Sequence, residues 1–338
     1  MDKTLAAPAS VPLSPRPRTT AALLLPAAAA LLLPAAAHAH CFVGSRFLPA
    51  TLAIDDPCVA DELSLPTVSR FKTGDMPAAT ELDISGDISK RLTENLGVSI
   101  GSTWTRLRIP DSPRVSGFQN LDTALQYQFV RDAQHELAAS AGVSVEWGGT
   151  GANALGSDSF STITPSVSFG KGFGDLPDSV GWAQPIALTG QIGYAVPTRA
   201  ASNDIDPDTG LATRTPNPHF LLYGATLQYS MPYLKSTVVD LGLPSFFNHL
   251  IPIVEAQYAK PIANAAGTGV RTTGTINPGV IWVGNYFQVG VEAILPVNRD
   301  SGSGVGFIAQ LHLYIDDLFP RTAGQPLFGP KTSVTKPF

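Results

Sequence analysis

From about residue 80 onward the chain alternates apolar and polar residues over segments of about ten to fourteen residues. In one such segment Ile84 and Ile88 alternate with Asp83 and Asp87. The same pattern returns near residues 96–103, 121–129, 137–147, 160–173, 186–197, 219–231, 251–262, 273–284, 286–297 and 305–315. A period of two puts alternate side chains on opposite faces of a strand, so the pattern predicts an all-β chain.

The length of these segments decides between two all-β classes. Strands in soluble sheets usually run to about 5–6 residues, whereas a strand that crosses a bilayer at a tilt needs about 9–11. The polar face is rich in Ser, Thr, Gln and Gly, as in a barrel lumen, rather than in the Lys and Glu of a face exposed to bulk water. No apolar run after residue 40 is long enough for a membrane-crossing helix. The sequence therefore predicts a transmembrane antiparallel up-and-down β-barrel in preference to a soluble sandwich.

The connections between the segments alternate in length, as they do in outer-membrane barrels, where short turns face the periplasm and long loops face outside. Residues 91–94, 131–134 and 284–285 are short, and residues 109–117, 148–159, 198–217, 263–272 and 298–304 are long. Two long segments, 174–185 and 232–250, fall where short turns are expected, and we interpret them as periplasmic elaborations. An even strand number requires one more strand before residue 80, and residues 64–73 are the candidate. We therefore predict twelve strands. Pro165 and Pro278 each remove a ladder hydrogen bond and are expected to mark bulges.

The first 39 residues have the features of a signal peptide. Lys3, Arg16 and Arg18 precede an Ala- and Leu-rich stretch at residues 21–33, and an Ala-His-Ala cleavage motif ends at Ala39. Four regions follow: a signal peptide at 1–39, a plug or periplasmic segment at 40–79, the barrel at 80–315 and a periplasmic tail at 316–338. The expected location is the outer membrane.

Cys41 and Cys58 are the two cysteines of the chain, and both lie in the N-terminal segment. In an oxidising periplasm they are expected to form a disulfide, although two free thiols remain the alternative.

Strand parity predicts which side chains line the lumen. The inward set is Asp83, Asp87, Asp122, Gln126, Glu146, Glu255, Glu292, Gln310 and His312, with no Lys or Arg at an inward mid-strand position. Six acids in a narrow lumen favour cations, and Glu146 and Glu292 are expected to set that preference. The alternative is that a plug carrying Arg46, Arg70 and Lys72 neutralises them. The chain's net charge of −5 argues against a nucleic-acid partner.

The sequence offers little that indicates catalysis or metal binding. His312 has many candidate serine partners, so a hydrogen-bonded lumen histidine is favoured over a catalytic one. Asp204, Asp206 and Asp208 alternate as in part of a calcium loop, but the glutamate that completes such a loop is missing. No catalytic residue, metal or cofactor is expected.

Four stretches carry a resemblance to a largely uncharacterised family of proteobacterial outer-membrane proteins. They are ELDISGDISKRLTENLGVSIG (81–101), GKGFGDLPDSVGWAQP (170–185), LQYSMPYLKS (227–236) and TGTINPGVIWVGNYFQVGVEAILPVN (273–298). The resemblance runs over most of residues 40–329. More distantly the chain resembles barrels grouped under a MetA pathway of phenol degradation, which are similar to uptake channels for fatty acids and aromatic hydrocarbons.

Three functional hypotheses follow. The first is a passive outer-membrane channel, with a gated or plugged lumen, for small hydrophobic or cationic molecules. The second is a structural or surface-interaction barrel with a filled lumen, and the third is an outer-membrane hydrolase. The expected partners are outer-membrane lipid and a small-molecule permeant, and the oligomeric state is left open.

Overall fold

The computed structural model describes residues 41–205 and 212–329. The predicted signal peptide at 1–39 lies outside these residues, as do Asp206 and Asp208 of the acidic loop. Among the described residues, no helix is both long and apolar enough to cross a membrane.

Twelve long strands form one closed barrel. They are β1 (Glu62–Lys72), β2 (Thr80–Arg91), β3 (Leu96–Arg108), β4 (Leu121–Asp132), β5 (Leu137–Trp147), β6 (Thr162–Gly172), β7 (Ile186–Pro197), β8 (His219–Tyr229), β9 (Leu250–Ala263), β10 (Thr273–Val283), β11 (Phe287–Pro296) and β12 (Gly306–Tyr314). Each pairs antiparallel with the next, and β12 pairs back with β1. Closure satisfies the backbone of every strand and leaves no open edge in lipid. The predicted twelve-stranded up-and-down barrel is confirmed.

Shorter elements decorate the two ends of the barrel. The short strands are Phe42–Val43, Arg46–Phe47, Val115–Phe118, Ala201–Ile205 and Ala212–Pro216. The α-helical turns are Met231–Tyr233 and Ile315–Leu318, and Leu234–Val238 is a π-helical turn. The 3-10 turns are Asn153–Leu155, Asp178–Ala183, Phe247–His249 and Arg299–Ser301.

Strand β1 contains an irregularity that makes this strand hard to predict from the sequence. The register between β1 and β2 shifts between Ser64 and Thr67, and the register between β12 and β1 shifts at the same place. Leu65 and Pro66 there face a single residue on each neighbouring strand, so β1 carries one extra residue, and both side chains are exposed. Simple alternation therefore breaks in the middle of the strand, although both halves pair normally.

The two prolines predicted to mark bulges do not shift the register. Pro165 pairs with Val143, and β6 and β7 keep one register on both sides of it, with the ladder interrupted between Ser166 and Ile163. Pro278 lies in the unbroken register of β9 and β10. That part of the prediction is wrong, because a lost donor interrupts a ladder without requiring an extra residue.

The outer face of the barrel is apolar and exposed. Large side chains of the outward parity, including Ile88, Ile192, Leu227 and Val291, each show nearly half or more of their surface. Inward side chains such as Thr226, Gln288 and Glu255 are fully buried. This is the reverse of a soluble fold, and it suits a wall whose outer surface meets hydrocarbon.

The antiparallel order gives the barrel two distinct ends. The connections after β1, β3, β5, β7, β9 and β11 meet at one end, which we call the loop end. The connections after β2, β4, β6, β8 and β10 meet at the other, which we call the plug end because residues 41–61 enter there. Gly44 shows this placement, since a Cβ on it would lie 2.3 Å from the carbonyl oxygen of Ala133 in the β4–β5 turn.

Candidate functional site, the plugged lumen

Residues 41–61, which we call the plug, pack inside the barrel. The plug begins with the hairpin Phe42–Val43 and Arg46–Phe47. A disulfide joins Cys41 to Cys58, whose Cα atoms are 5.4 Å apart. Gly44 turns the hairpin with a φ of +66°, a conformation that glycine adopts without steric cost.

Apolar plug side chains sit where inward-facing strand positions are glycine. A Cβ on the glycine would lie under 3 Å from the plug side chain in four cases: Gly170 to Leu48 at 2.6 Å, Gly290 to Leu52 at 2.5 Å, Gly224 to Ile54 at 2.7 Å and Gly97 to Val59 at 2.8 Å. Because a Cβ at any of these positions would collide with the plug, the wall is recessed to receive it. The fit depends on four strands that are distant in sequence.

Polar contacts hold the tip of the plug to the wall. Glu255, fully buried on β9, accepts hydrogen bonds from the backbone N–H groups of Leu52 (3.2 Å) and Ala53 (2.8 Å) and from the hydroxyl of Thr226 (2.9 Å). Gln288 donates to the backbone oxygen of Ala50. A buried carboxylate is tolerated when donors compensate it, so Glu255 stabilises the docked plug and depends on it.

Arg46 fixes the hairpin of the plug to the plug end. Its Nε lies 3.0 Å from the Glu136 carboxylate, its Nη1 donates to Pro185 O at 3.0 Å, and its Nη2 donates to Gln184 O. The guanidinium carbon lies 3.6 Å from the centre of the Tyr233 ring. Burial lowers the pKa of Arg46, and the adjacent carboxylate opposes that shift. The pair is buried on both sides, so loss of one partner would leave the other charge uncompensated.

A second ionic contact holds the plug where it joins β1. Asp61 is fully buried and accepts from Lys90 Nζ at 2.8 Å and from Arg91 Nε at 3.0 Å. Arg91 also donates to the backbone oxygen of Gly324 at 2.7 Å, which ties the segment after β12 to the same cluster. The plug is therefore anchored at both of its ends.

A cavity of about 480 Å³ remains between the plug and one side of the barrel. The plug contributes one boundary, and β1–β5 with β12 contribute the other. Five acidic residues line it, namely Asp55, Asp56, Glu62, Asp87 and Asp122, together with many Ser and Thr residues. Among the described lining residues there is no Lys or Arg. Burial, reinforced by the nearby carboxylate of Glu62, raises the pKa of Asp56 to about 8.

The predicted lumen residues fall into three groups. Asp87, Asp122, Gln126, Gln310 and His312 line the cavity. Asp83, which accepts from Thr105 at 2.6 Å, and Glu146, which accepts from Asn120 at 2.9 Å, do not. Glu255 and Glu292 lie on the opposite wall, where Glu255 binds the plug.

Glu292 has an unusual environment. It is 2% exposed, and among the described residues neither of its carboxylate oxygens has a hydrogen-bond partner. Its side chain crosses over Gly279, where a Cβ would lie 2.4 Å from its Cγ. Glu292 therefore lies on the filled side of the lumen and not at the cavity. A permeating ion would have no open path past its side chain, so the structure does not favour the role in cation preference that the sequence predicts.

Sequence reasoning missed the acids that the plug and the first strand bring to the cavity. Asp55, Asp56 and Glu62 lie outside the regular alternation, so strand parity could not place them. The basic residues of the alternative also lie elsewhere: Arg46 binds Glu136, and Arg70 and Lys72 are exposed near the loop end of β1. The plug adds negative charge to the cavity and does not neutralise it.

A short chain of polar side chains crosses from β12 to β1. Ser64 Oγ lies 2.8 Å from His312 Nδ1, and His312 Nε2 lies 3.4 Å from the Glu62 carboxylate. All three residues line the cavity. The serine partner that the sequence could not identify is therefore Ser64.

No protein-family model matches the chain, and no curated protein matches it. Solved structures do. The COG4313 outer membrane channel from Pseudomonas putida F1 is 13% identical with a TM-score of 0.51, over 79% of this chain and 98% of that one. The KdgM porin is 10% identical with a TM-score of 0.42, over 74% and 98%. LpxR from Salmonella typhimurium is 11% identical with a TM-score of 0.38, over 75% and 99%. At these identities the likeness shows the fold alone: this chain has the fold of an outer-membrane β-barrel.

Proposed function

We propose that this protein is an outer-membrane channel for small molecules, and that the plug closes its lumen in the described state. The observation that carries the proposal is the cavity, because it leaves solvent-sized space along β1–β5, and a smaller cavity of about 390 Å³ remains between the plug tip and β7–β10. A barrel built only as a scaffold has no need of a lumen that stays partly open and polar. We further propose export through a cleaved signal peptide at 1–39, with the plug end facing the periplasm.

The contacts of the plug suggest how it could move. They comprise apolar side chains set over glycines, a few hydrogen bonds and two ionic anchors at its ends. None of these is a continuous strand ladder with the barrel wall. The plug can therefore shift without breaking the pairing of the twelve strands, which holds the barrel closed.

The test is single-channel conductance of the mature chain against the Gly290→Val variant. A Cβ at position 290 would lie 2.5 Å from Leu52 Cδ1, so valine displaces the plug tip while β11 keeps its pairing. We expect larger and more frequent openings in the variant than in the wild type. The lipid-facing change Val143→Ala is the control and should conduct like the wild type.

Two outcomes would reject the proposal. If Gly290→Val folds, as judged by heat-modifiable gel mobility, and conducts no more than the wild type, the filled structural barrel is the better account. If the wild type already conducts as freely as the variant, residues 41–61 do not close the lumen.

An outer-membrane hydrolase is the second candidate, and the Ser64–His312–Glu62 chain is the observation that favours it. The surrounding carboxylates weigh against it, because they would oppose the negative charge that develops on an acyl transition state. Ester hydrolysis by the purified barrel that disappears in Ser64→Ala would establish the activity. Hydrolysis that survives the change, or is absent in the wild type, would exclude this site.

A further inference from the structure

The cavity concentrates acidic groups, and one buried amide oxygen on its wall has no donor. Its five acidic side chains, of which Asp56 with its pKa raised to about 8 is mostly protonated at neutral pH, face a single imidazole, that of His312, among the titratable side chains that line the described cavity. Gln310 is 9% exposed, and its amide nitrogen donates to Thr67 Oγ1 at 3.1 Å. Within the part of the chain that the structure describes, its Oε1 accepts no hydrogen bond. Buried acceptors without donors are costly, so the site suits a ligand that brings donors.

The carboxylates are only partly engaged by the protein. Asp56 Oδ1 accepts from the backbone N–H of Cys58 at 2.7 Å, and Asp87 Oδ1 accepts from Ser89 Oγ at 3.3 Å. Each carboxylate can accept about four hydrogen bonds, so most of this capacity remains for a ligand. Asp122, from β4, stands on a different strand from Asp87 on β2, so the acidic surface is spread along the wall and not focused at one point.

The plug boundary of the cavity is mixed in character. Val59 and small alanine side chains supply hydrocarbon there, beside Asp55 and Asp56. A ligand that fills the space would meet both apolar and acidic groups on the plug, and carboxylates, hydroxyls and amides on the strands. A bare metal ion would occupy a small part of about 480 Å³ and would make no use of the apolar groups.

We propose that this cavity is a binding site for a small organic cation that carries primary ammonium groups on a short aliphatic body. Ammonium groups donate three hydrogen bonds each and carry the charge that the acidic wall lacks. The methylenes pack on the plug residues. This inference rests on the proposed channel, for which it names the class of permeant, and it departs from the hydrocarbons that the distant resemblance implies.

Other ligand classes fit this lining less well. An anion would be repelled by every titratable side chain of the wall except His312. A hydrocarbon would leave the acidic and amide groups without partners. A neutral polyol brings donors but no charge, so it would gain hydrogen bonds without the electrostatic attraction.

The experiment uses three probes of the same length that differ only at their ends: hexamethylenediamine, hexanediol and adipate. Binding to the purified mature protein in a nonionic detergent is measured by isothermal titration calorimetry. We expect the diamine to bind and the diol and the diacid to bind at least about tenfold more weakly, because charge complementarity separates them. Raising the salt concentration should weaken the diamine alone.

Matched variants locate the site. Asp87→Asn and Asp122→Asn remove one charge each from the cavity wall and should each weaken the diamine by roughly three- to tenfold. Asp240→Asn removes the same charge from an exposed position in the segment between β8 and β9, away from the cavity, and should bind the diamine like the wild type. Heat-modifiable gel mobility checks that each variant is folded, and the three-probe comparison on the wild type stands without them.

Equal binding of the three probes, no binding of the diamine, or equal losses in Asp240→Asn and Asp122→Asn would each overturn the inference. The calorimetry does not depend on conduction, so the two proposals fail separately. If the diamine binds and no variant conducts, the channel proposal is wrong and the binding site stands. If Gly290→Val conducts and the wild type does not bind the diamine, the binding site is wrong and the channel proposal stands.

Discussion

The two walls of the lumen arise from the same alternating pattern but differ in what they enclose. The filled wall, β6–β11, meets the plug with recessed glycines and apolar side chains, and Ile251, Ile253 and Ile281 pack there against Phe47 and Leu52. A smaller cavity of about 390 Å³ remains between the plug tip and β7–β10. The open wall, β12 and β1–β5, presents acids, hydroxyls and amides to the cavity. Inward-facing positions therefore do not share one environment. The side chain at each position decides whether the wall receives protein or keeps room for solvent and ligand.

The two walls should also have different roles, the filled wall in docking the plug and the open wall in selectivity and ligand binding. On the filled wall each contact holds the plug in place, so substitutions there should change docking. On the open wall the side chains contact few protein groups, so substitutions there should change selectivity and ligand binding. The predictions below test this division, from the largest expected effect to the smallest.

Arg46→Ala should have the largest effect, because it leaves the buried Glu136 carboxylate without its cation. Breaking a buried ion pair by removing one partner typically costs about 3–5 kcal/mol. We expect the plug to become sensitive to protease while the barrel stays folded. Arg214→Ala, an exposed arginine in the hairpin at the loop end, is the control. Equal protease resistance of the two variants would contradict the role of Arg46 as an anchor.

Loss of the disulfide should come next. Replacing Cys41 and Cys58 by Ser opens a link across a sequence separation of 17 residues. The chain-entropy model gives roughly 3 kcal/mol for a loop of this size. Thermal release of the plug, followed by protease sensitivity, should shift to lower temperature in the double variant. Titration of two free thiols in the unreduced wild-type protein would mean that the bond does not form.

The docking of the plug should depend on pH through Asp56. Burial, and then the carboxylate of Glu62, raise the pKa of Asp56 from 3.8 to about 8 when the plug is docked. Between roughly pH 4 and pH 8 the undocked segment is the more readily deprotonated form, so docking weakens as the pH rises, by up to ~1.4 kcal/mol per pH unit. Above that window the loss is complete and docking stays at its weakest.

Protease sensitivity of residues 41–61 measured across this range checks the sign. It should rise with pH in the wild type and change little in Asp56→Asn, which cannot ionise. A wild-type plug that becomes more protected as the pH rises would show that the sign is wrong.

Ion selectivity should show the smallest change in free energy. Strand parity places all four acids Asp87, Asp122, Glu146 and Glu292 in the lumen, and position within the strands favours the two glutamates. In the structure, Asp87 and Asp122 line the cavity. In the Gly290→Val background, replacing Asp87 and Asp122 by Asn should move the reversal potential in a salt gradient toward that of an unselective pore, and this shift should be smaller at high salt. Replacing Glu292 by Gln should move it less. A larger shift of the reversal potential in Glu292→Gln than in the double Asn variant would show that the filled wall sets the selectivity.

The sequence is informative where the two faces of a strand differ chemically. Ile84 and Ile88 against Asp83 and Asp87 are enough to predict a strand and its parity, because lipid and lumen demand different side chains. β1 is harder to identify, because one extra residue between Ser64 and Thr67 interrupts the alternation.

The plug illustrates what alternation cannot predict. Leu52 meets Gly290, and Leu48 meets Gly170, across more than a hundred residues of chain. Inward glycines are visible in the sequence, but nothing local says which side chain fills each recess. The acids of the cavity are equally hard to predict, because Asp56 lines the cavity only when the plug folds into the lumen.

The most direct test of the two-wall account is the reactivity of single introduced cysteines toward a small water-soluble methanethiosulfonate reagent. Ser99 lines the cavity on β3, and Ile253 is 3% exposed on the filled wall of β9. With the native disulfide intact, Ser99→Cys should be modified quickly and Ile253→Cys should be protected. Adding Arg46→Ala should raise the rate at position 253 and leave position 99 nearly unchanged. Equal rates at the two positions in the otherwise unaltered protein would contradict the account.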